Sequence, residues 1–444
     1  SCKMNCYLIN TDLEKENIEV VKKANGRKME EGILEIFPKK TKHSFYGFGG
    51  ALTEASASVL LKLDKKDREE VIDRLFLGDN PIYRYIRIAI DSCDFSPYQH
   101  STINTIDDFL EKRFDFSNEE KYIFPLLKEI EERTKKSIPL LFSPWSPPSV
   151  MKTNNKRIEG GKLKKECYEM WAKYVVHYLS VFRAKGFNVW ALTLQNEPNA
   201  RQKWDSCIYT AEEERRLYLL IKTELKKEGF DNTLVFYWDH NKERLLSRTE
   251  KFLNNDSIDV SGIAFHGYCG DHFEALDEFR REHSDKRVLM SEFCMNIKDR
   301  SDYLKQLKIY GHEYINDISH GADLVIDWNI ILDNEGGPNH VGNFCMAPFM
   351  VNEKNQTEKN MAYFVIETLS LAGKAKSKVL FTTSFDSTLD RVAFLNADNS
   401  ISLVMKTEKC QKRKINVRVG EKVFSVTNKP NSLIVLTLEE KDYE

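Results

Sequence analysis

Two glutamates follow strand-like apolar runs and could act as a pair of catalytic carboxyl groups. Glu197 closes the stretch VWALTLQNE, and Glu292 closes the stretch RVLMSE. Cleavage of a glycosidic bond requires two such groups: one carboxylic acid protonates the departing oxygen, and one carboxylate attacks the anomeric carbon or activates water. The two positions therefore predict chemistry on a glycoside, provided that the fold brings them together.

Aromatic and amide side chains accompany the two acids. Trp145 and Trp328 offer flat apolar faces to the C–H side of a sugar ring, whereas Asp94, Asn196 and Asn343 offer hydrogen bonds to its hydroxyl groups. The sequence leaves structural alternatives open, because the indoles could be rim packing and Asp94 could cap a turn. As a set, these side chains are typical of a sugar-binding pocket.

Two further groups of residues have competing interpretations. Glu54, in ALTEAS, also follows a strand-like run, but we expect it to cap the helix that follows. His266, Cys269 and His272 could suggest a metal site, yet no second ligand pair of recognisable spacing accompanies them. We therefore expect neither a metal nor an organic cofactor.

These residues need elements that carry them to one place. Short apolar runs alternate with amphipathic segments, which is the pattern of repeated βα units and a parallel sheet. Thr210 and Glu213 form a capping box at the start of one helix, and Gly229 ends it; a second helix is predicted over residues 64–77, with Asp64 as N-cap. The strand-like runs are residues 45–51, 85–90, 138–142, 189–194, 233–237, 262–266, 287–291 and 322–328.

Eight strands, each followed by helical sequence, predict an α/β fold of the (β/α)8 TIM barrel type. Active sites of such barrels lie at the C-terminal ends of the strands, where acids, amides and aromatics gather in this sequence. Glu197 and Glu292 follow the fourth and seventh strands. These strands lie three apart in the ring, so the two side chains can face each other across its mouth.

Both ends of the chain contain short strands without helices. After about residue 372 these include VLFTTS, RVAFLN and LIVLTL, and the first forty residues contain CYLIN and ILEIF with a turn at Asn25-Gly26. We predict a β-sandwich side domain built from both chain termini. Residues 1–41 are expected to supply its N-terminal strands, residues 42–370 the catalytic barrel, and residues 371–444 the C-terminal part of the sandwich.

Composition and charge argue against several classes of partner. The 444 residues carry a net charge of −2, with 41% apolar and 30% charged residues, which argues against nucleic acid or a membrane surface. The sequence has no apolar stretch of about 18 residues that would span a membrane. SCKMNCYLIN shows no signal peptide and the nine cysteines fit no disulfide framework, so we expect a cytoplasmic location. The oligomeric state stays open.

Several stretches together resemble glycoside hydrolase family 30, the family that includes glucosylceramidases, over nearly the whole chain. In order, the matching stretches are FYGFGGALTEA, SCDFS, SPWSPPSVMKTN, LTLQNEP, FHGY, MSEF and DWNIILDNEGGPNHVGNF. The resemblance implies a barrel with a β-sandwich assembled from both termini. It also implies a glycoside or oligosaccharide substrate, and specifically a retaining β-glycosidase that hydrolyses terminal β-D-glucosides.

Carried over to this chain, the family's motifs imply roles for individual residues. Glu197 matches the acid/base and Glu292 the nucleophile of a double displacement, which implies carboxyl groups about 5–5.5 Å apart. This mechanism also implies that burial and the charge of Glu292 raise the pKa of Glu197. The remaining matches are five residues that hold the sugar in glucose-specific members, Asp94, Trp145, Asn196, Trp328 and Asn343, and three around the carboxylate pair, Arg87, His266 and Tyr268.

Other specificities and other classes of protein stay open. Family 30 also contains β-xylosidases, β-fucosidases and β-1,6-glucanases, and the loop NARQKWDSCIYTAEE with Trp204, like His340 in GGPNHVGNF, departs from the glucosylceramidase pattern. Ceramide is therefore not the expected leaving group. A catalytically inactive sugar-binding barrel would be favoured if either glutamate were missing, but both are present. A metal-dependent barrel hydrolase would need a His-x-His after the first strand, where FGGALTE has none.

Overall fold

The N-terminal part of the chain forms strands that precede the barrel. The computed structural model describes residues 5–23, 30–255, 258–411 and 414–444. The predicted turn at Asn25-Gly26 lies outside the described residues. The four strands are β1 (Asn5–Ile9), β2 (Lys15–Asn17), β3 (Val20–Lys23) and β4 (Ile33–Phe45).

The central part of the chain is a closed barrel of eight parallel strands, which confirms the predicted fold class. The last barrel strand pairs with the first, so the sheet has no free edge. The eight strands are β5 (Phe48–Ala51), β6 (Tyr83–Ile90), β7 (Pro139–Pro144), β8 (Asn188–Thr193), β9 (Leu234–Asn241), β10 (Gly262–His266), β11 (Arg287–Glu292) and β12 (Leu324–Asn329).

Helices follow the barrel strands. Those outside the sandwich are α1 (Glu54–Lys62), α2 (Lys65–Phe76), α3 (Ile106–Leu110), α4 (Phe124–Thr134), α5 (Tyr168–Ala184), α6 (Ala211–Lys227), α7 (Leu245–Leu253), α8 (Phe273–Glu282), α9 (Tyr303–Gln306), α10 (His312–His320) and α11 (Met361–Ala372). Within the described ranges, no helix combines the length and apolar character needed to cross a membrane.

Helix caps test three of the sequence predictions. The capping box of Thr210 and Glu213 is confirmed at the start of α6, where both reciprocal hydrogen bonds are present. Asp64 precedes α2 as predicted, but its side chain makes no capping hydrogen bond. The prediction that Glu54 caps α1 is wrong. Thr53 is the N-cap, because its hydroxyl accepts a hydrogen bond from the Ser56 amide, while the Glu54 carboxylate contacts His100.

Two layers of inward side chains fill the barrel below its C-terminal mouth. The lower part is an apolar cluster of Leu141, Ala191, Phe236, Ala264, Leu289, Leu324 and Ile326. Alternate residues of a strand point to the same side. Two positions further along four of these strands the residues are polar and buried: Ser143, Thr193, His266 and Ser291. The apolar layer therefore supports a polar layer at the height of the strand ends.

A small sheet and a β-sandwich complete the fold. The small sheet, which was not predicted, contains β13 (Ile331–Leu332), β14 (Phe349–Val351) and β15 (Thr357–Lys359). The C-terminal elements are β16 (Ser377–Ser384), β17 (Asp390–Leu395), β18 (Ile401–Thr407), β19 (Lys414–Val419), β20 (Lys422–Thr427), β21 (Ser432–Leu438) and α12 (Glu440–Tyr443).

The sandwich combines strands from both ends of the chain, as predicted. Its strand order is β2-β1-β21-β18-β17-β16-β4-β19-β20-β3. Strand β1 lies between β2 and β21, and β4 lies between β16 and β19. Leu8, Leu34, Leu403 and Val417 belong to one buried apolar cluster, so the N-terminal and C-terminal strands share a core that is separate from the barrel core.

Candidate active site

A cavity of about 350 Å³ opens at the C-terminal ends of the barrel strands. This volume is near the lower end of the range for small-molecule pockets, about 300–1,000 Å³. Arg87 and His266 are buried behind the cavity, and each is hydrogen-bonded to one of the two glutamates. The other predicted site residues all line the cavity: Asp94, Trp145, Asn196, Glu197, Tyr268, Glu292, Trp328 and Asn343.

The turn after β8 directs Glu197 into the cavity. Glu197 has a φ of 48°, a left-handed conformation that turns the chain sharply away from the strand direction. The Asn196 amide donates to the Pro144 carbonyl at 2.8 Å, and the Glu197 amide donates to the Asp239 carbonyl at 3.0 Å. These hydrogen bonds connect the turn to the two neighbouring strands, so they hold the backbone of Glu197 in place.

Glu292 is the last residue of β11, and hydrogen bonds hold both of its carboxylate oxygens. Arg87 Nη1 donates to Oε1 at 2.9 Å, and the Tyr268 hydroxyl donates to Oε2 at 2.8 Å. One oxygen of Glu292, one oxygen of Glu197 and a ring nitrogen of His266 all lie within 4.8 Å of one another. The structure therefore brings the two predicted catalytic carboxyl groups face to face.

A buried aspartate that the sequence reasoning missed organises the groups behind the glutamates. Asp239 lies 2.8 Å from His266 Nε2 through Oδ1 and 3.0 Å from Arg87 Nη2 through Oδ2. It also accepts hydrogen bonds from Thr193 and Ser291. The prediction ended the strand at residue 237, whereas β9 continues to Asn241. A predicted strand that continued two residues further would have placed Asp239 among the polar residues at the strand ends.

The backbone at the end of β9 is unusual. Trp238 has a φ of 76° and Asp239 a φ of 55°, so two consecutive non-glycine residues adopt positive φ angles. A bulky residue rarely takes this conformation, and such strain is found mainly where the surrounding structure holds a functional group in place. Here the irregular backbone directs the Asp239 carboxylate toward Arg87 and His266.

His266 holds a proton at neutral pH. Burial alone would lower the pKa of this imidazole, but the charges of Glu292 and Asp239 and hydrogen bonds to Asp239 and Glu197 outweigh burial and raise it to about 10. Burial would raise the pKa of Asp239, yet Arg87 and His266 lower it below its ordinary value. The ionised aspartate therefore stabilises an imidazolium whose Nδ1 lies 2.9 Å from Glu197 Oε2.

The pKa of Glu197 differs from the sequence prediction. Burial raises the pKa of Glu197, but the hydrogen bond and the charge of His266 together lower it by more than burial raises it. The net shift is downward, so the prediction of a raised pKa is wrong. Burial raises the pKa of Glu292 despite the charges of His266 and Arg87. In the free protein the proton next to Glu197 therefore lies on His266, because the pKa of His266 is raised and that of Glu197 is lowered.

The opposite side of the cavity carries the residues predicted to hold a sugar. Asn343 Nδ2 donates to Asp94 Oδ2 at 2.9 Å. Burial and the charge of Glu292 raise the pKa of Asp94 to about 8. Trp145 and Trp328 stack on each other, with ring centroids 5.5 Å apart and planes inclined by 22°. They therefore form one aromatic stack, so one face of each indole is partly occupied by the other.

The cluster of Glu197, His266 and Glu292 has spacing that could hold a metal ion, but each of its three groups already has a hydrogen-bond or ion-pair partner in the protein. A metal requires a neutral imidazole nitrogen as ligand. Both ring nitrogens of His266 are hydrogen-bonded to carboxylates, and the Arg87 guanidinium already neutralises Glu292. Within the described ranges, Cys269 and His272 are not part of any group of three or more ligands with metal-binding spacing. The arrangement favours proton transfer over metal binding.

Comparison with known proteins agrees with this geometry. Residues 45–371 match the glycosyl hydrolase family 30 TIM-barrel domain, and residues 376–434 match the family 30 beta sandwich domain. The chain is 29% identical to putative glucosylceramidase 3 of Caenorhabditis elegans over 331 residues, which are 70% of this chain and 63% of that protein. It is 25% identical to the endo-1,6-beta-D-glucanase of Neurospora crassa over 431 residues, which are 93% of this chain and 84% of that protein.

A solved structure extends the similarity to the whole chain. The crystal structure of SrfJ from Salmonella typhimurium has a TM-score of 0.92 and 30% sequence identity, and the match covers 99% of this chain and 100% of that chain. The barrel match alone spans well over half of the sequence, and the sandwich match follows it directly. The chain therefore belongs to glycosyl hydrolase family 30.

Proposed function

We propose that the protein is a retaining β-glycosidase that releases β-D-glucose from the non-reducing end of its substrate. The observation that carries this proposal is the short distance between Glu197 and Glu292, whose nearest carboxylate oxygens lie within 4.8 Å. Retaining enzymes have carboxyl groups about 5–5.5 Å apart, whereas inverting enzymes separate them by about 6.5–9.5 Å to admit a water. The geometry supports direct attack by one carboxylate.

In the first half of the reaction, Glu292 is the nucleophile. An ionised Glu292 attacks the anomeric carbon, the bond to the departing oxygen breaks, and a glucosyl ester forms on Glu292. Arg87 and Tyr268 keep the carboxylate oriented, because they hold one oxygen each. In the second half, water attacks the anomeric carbon from the opposite face and releases Glu292.

Glu197 is the acid and then the base, and His266 supplies its proton. Transfer of the proton from Nδ1 across the 2.9 Å hydrogen bond turns the imidazolium–carboxylate pair into a neutral imidazole and a carboxylic acid. That acid protonates the departing oxygen. When water enters, Glu197 removes its proton, and the proton returns to His266. Between turnovers the catalytic proton is therefore held on His266, behind the cavity.

An Asp239→Asn variant tests this proton store. Loss of a charge in contact with His266 should lower the pKa of the pair, so the alkaline limb of the kcat/KM profile should move to lower pH by about one to three units. The sign follows from the raised pKa, since the proton is present below that pKa and absent above it. Ser291→Ala is the matched control, because it removes a hydrogen bond to Asp239 but no charge. Equal loss of activity at every pH would make Asp239 merely structural.

The polar side of the cavity supports glucose as the sugar. Asp94 and Asn343 are hydrogen-bonded to each other and present a carboxyl and an amide group to adjacent hydroxyls. The Asn196 side-chain oxygen accepts from Arg87 at 3.0 Å, which fixes its amide orientation beside Glu197. Trp145 and Trp328 supply the apolar surface for the ring. Xylose and fucose lack one of the hydroxyl groups that this set can bind.

The cavity mouth supports a polar leaving group. The rest of the lining includes the amides of Gln202, Asn241 and Asn296, the indole of Trp204, the imidazole of His240 and the thioether of Met295, so it is mainly polar. A second sugar could form hydrogen bonds with these polar groups and stack on Trp204, whereas an acyl chain could form no hydrogen bonds with them. We therefore infer a disaccharide or oligosaccharide substrate in preference to a glycolipid.

The sugar and the stereochemistry can be tested together. Wild-type protein is offered nitrophenyl β-glucoside, β-xyloside, β-fucoside and β-galactoside, and the first product is observed by NMR. We expect the glucoside to be the best substrate and β-glucose to appear before mutarotation. Initial α-glucose would contradict the retaining mechanism. Turnover of another sugar alone would overturn the glucose assignment, and cleavage of a β-1,6-glucan without any aryl glycoside would indicate an endo-acting enzyme.

A Trp204→Ala variant tests the leaving-group site. Loss of one stacking contact of about 0.5–1.5 kcal/mol should reduce kcat/KM for a glucosyl disaccharide by about 2- to 12-fold, with little change for a nitrophenyl glucoside of high intrinsic reactivity. Trp204→Phe retains a flat face and serves as the matched control. Faster hydrolysis of long-chain alkyl glucosides than of disaccharides by the wild type would favour the glycolipid alternative.

A further inference from the structure

Two thiols lie together in the wall of the active-site cavity. Cys294 follows Glu292 by two residues and is half-buried, while Cys345 is buried in the loop after Asn343. Both line the same cavity, and the interaction with Cys345 raises the pKa of the Cys294 thiol. A backbone bridge between Asn296 and Cys345 holds the two segments side by side. The main chain therefore holds the two cysteine-bearing segments against each other in the cavity wall.

Each sulfur also contacts a residue of the proposed machinery. The Tyr268 hydroxyl, which donates to Glu292, lies 3.6 Å from Cys294 Sγ. Cys345 Sγ lies 3.8 Å from the carbonyl oxygen of Asn343, whose side chain donates to Asp94. Displacement of the Cys294 sulfur would therefore disturb Tyr268 and the nucleophile Glu292. Displacement of the Cys345 sulfur would disturb Asn343 and its hydrogen bond to Asp94.

We propose that Cys294 and Cys345 form an oxidisable dithiol, a modification site whose disulfide form inactivates the enzyme. A sulfur–sulfur bond of about 2.0 Å is shorter than any hydrogen bond between thiols, so both side chains must turn or the two segments must approach. Rotation of the side chains moves Cys294 Sγ away from the Tyr268 hydroxyl, and approach of the segments shifts the loop that carries Asn343, so each movement disturbs one side of the site.

The chemistry balances with an azodicarboxamide as the oxidant. The Cys294 thiolate adds to one nitrogen of the N=N bond, and the other nitrogen takes a proton. The Cys345 thiol then attacks the Cys294 sulfur, the sulfur–sulfur bond forms, and the hydrazine leaves with the second proton. The hydrogen bond to Cys345 and burial both raise the pKa of Cys294, so the thiolate is scarce at neutral pH and the reaction should accelerate as pH rises.

The experiment uses the full-length protein and the azodicarboxamide diamide. Treated samples are assayed on a nitrophenyl β-glucoside and digested for mass spectrometry. The activity of the wild type should fall at least tenfold as a cross-linked peptide pair containing Cys294 and Cys345 accumulates. Dithiothreitol should remove the cross-link and restore the activity. Cys294→Ser and Cys345→Ser, each compared with its own untreated sample, should resist diamide. Cys410→Ser, at an exposed thiol elsewhere, should behave as wild type.

Several results would overturn the inference. The first is the absence of the cross-link in wild type after diamide treatment, and the second is full activity of the cross-linked protein. The third is inactivation of both single variants by diamide to the same extent as wild type. The loss of activity rests on the proposed function, whereas the cross-link is measured by mass. An enzyme that cleaves no glucoside but forms the cross-link would therefore contradict the proposed function and leave the dithiol standing.

Discussion

Replacing Glu292 with alanine is expected to lower kcat for a nitrophenyl β-glucoside by about 10⁴-fold or more, because removal of a nucleophile eliminates the covalent step. Added azide should restore part of the rate, because a small anionic nucleophile can enter the space that the removed carboxylate leaves. Attack by azide from that side inverts the anomeric carbon once, so the product should be α-glucosyl azide. The measurement is the initial rate with and without azide, followed by NMR of the product.

Two controls separate chemistry from folding in this experiment. Glu292→Gln keeps the size of the side chain and should be equally inactive while it retains the thermal stability of wild type. Glu54→Gln changes another acid near a barrel strand end, one that contacts His100 and not the carboxylate pair, and should retain substantial activity. Activity of Glu292→Ala within tenfold of wild type, or a β-configured azide product, would show that Glu292 is not the nucleophile.

Replacing Glu197 with alanine is expected to have an effect that depends on the leaving group. For an alkyl β-glucoside, whose alkoxide must be protonated, kcat/KM should fall by about 10²- to 10⁴-fold. For a dinitrophenyl β-glucoside, which needs no proton, kcat/KM should change little. Azide should then react with the glucosyl ester on Glu292 from the side of the missing Glu197 and give β-glucosyl azide. The opposite configurations of the azide products from the two variants would show that Glu292 and Glu197 lie on opposite faces of the sugar.

The pH profile provides an independent readout for Glu197. In wild type the alkaline limb should reflect loss of the proton shared with His266, whose pKa is raised to about 10 by Glu292, Asp239 and hydrogen bonds that outweigh its burial. Glu197→Ala should lose that limb for the dinitrophenyl substrate, because the acid is no longer used. Equal losses for good and poor leaving groups would contradict the role of acid/base and point to a general defect in binding.

Much of this architecture could be predicted from local patterns. Apolar runs and their spacing gave all eight barrel strands, since a strand buried on both faces is apolar along its whole length. The polar residues at the ends of these runs indicated the site, because parallel strands carry their C-terminal ends to the same edge. The capping box at Thr210 was equally readable, as it depends only on residues close in sequence.

What could not be predicted depends on contacts between distant segments. The downward shift in the pKa of Glu197 results from an imidazolium that Asp239 stabilises, and nothing near Glu197 in the sequence indicates this. The mutual stacking of Trp145 and Trp328 requires the three-dimensional distance between two strand ends. The positive φ angles of Trp238 and Asp239 are held by tertiary contacts against local preference. The roles of the site residues and the cytoplasmic location stay predictions.

The interleaved sandwich has a consequence for how the chain folds. Asn5 pairs with Thr437 and Ser377 pairs with Phe45, so strands that precede the barrel find their partners among strands that are synthesised after it. The barrel between them can close from contacts between neighbouring βα units, whereas the sandwich pays the loop-closure entropy of nearly the entire chain. Strands β1 and β4 therefore have unpaired edges until their partners β21, β16 and β19 have been synthesised. Assembly of the sandwich is expected to be the late, aggregation-sensitive step of folding.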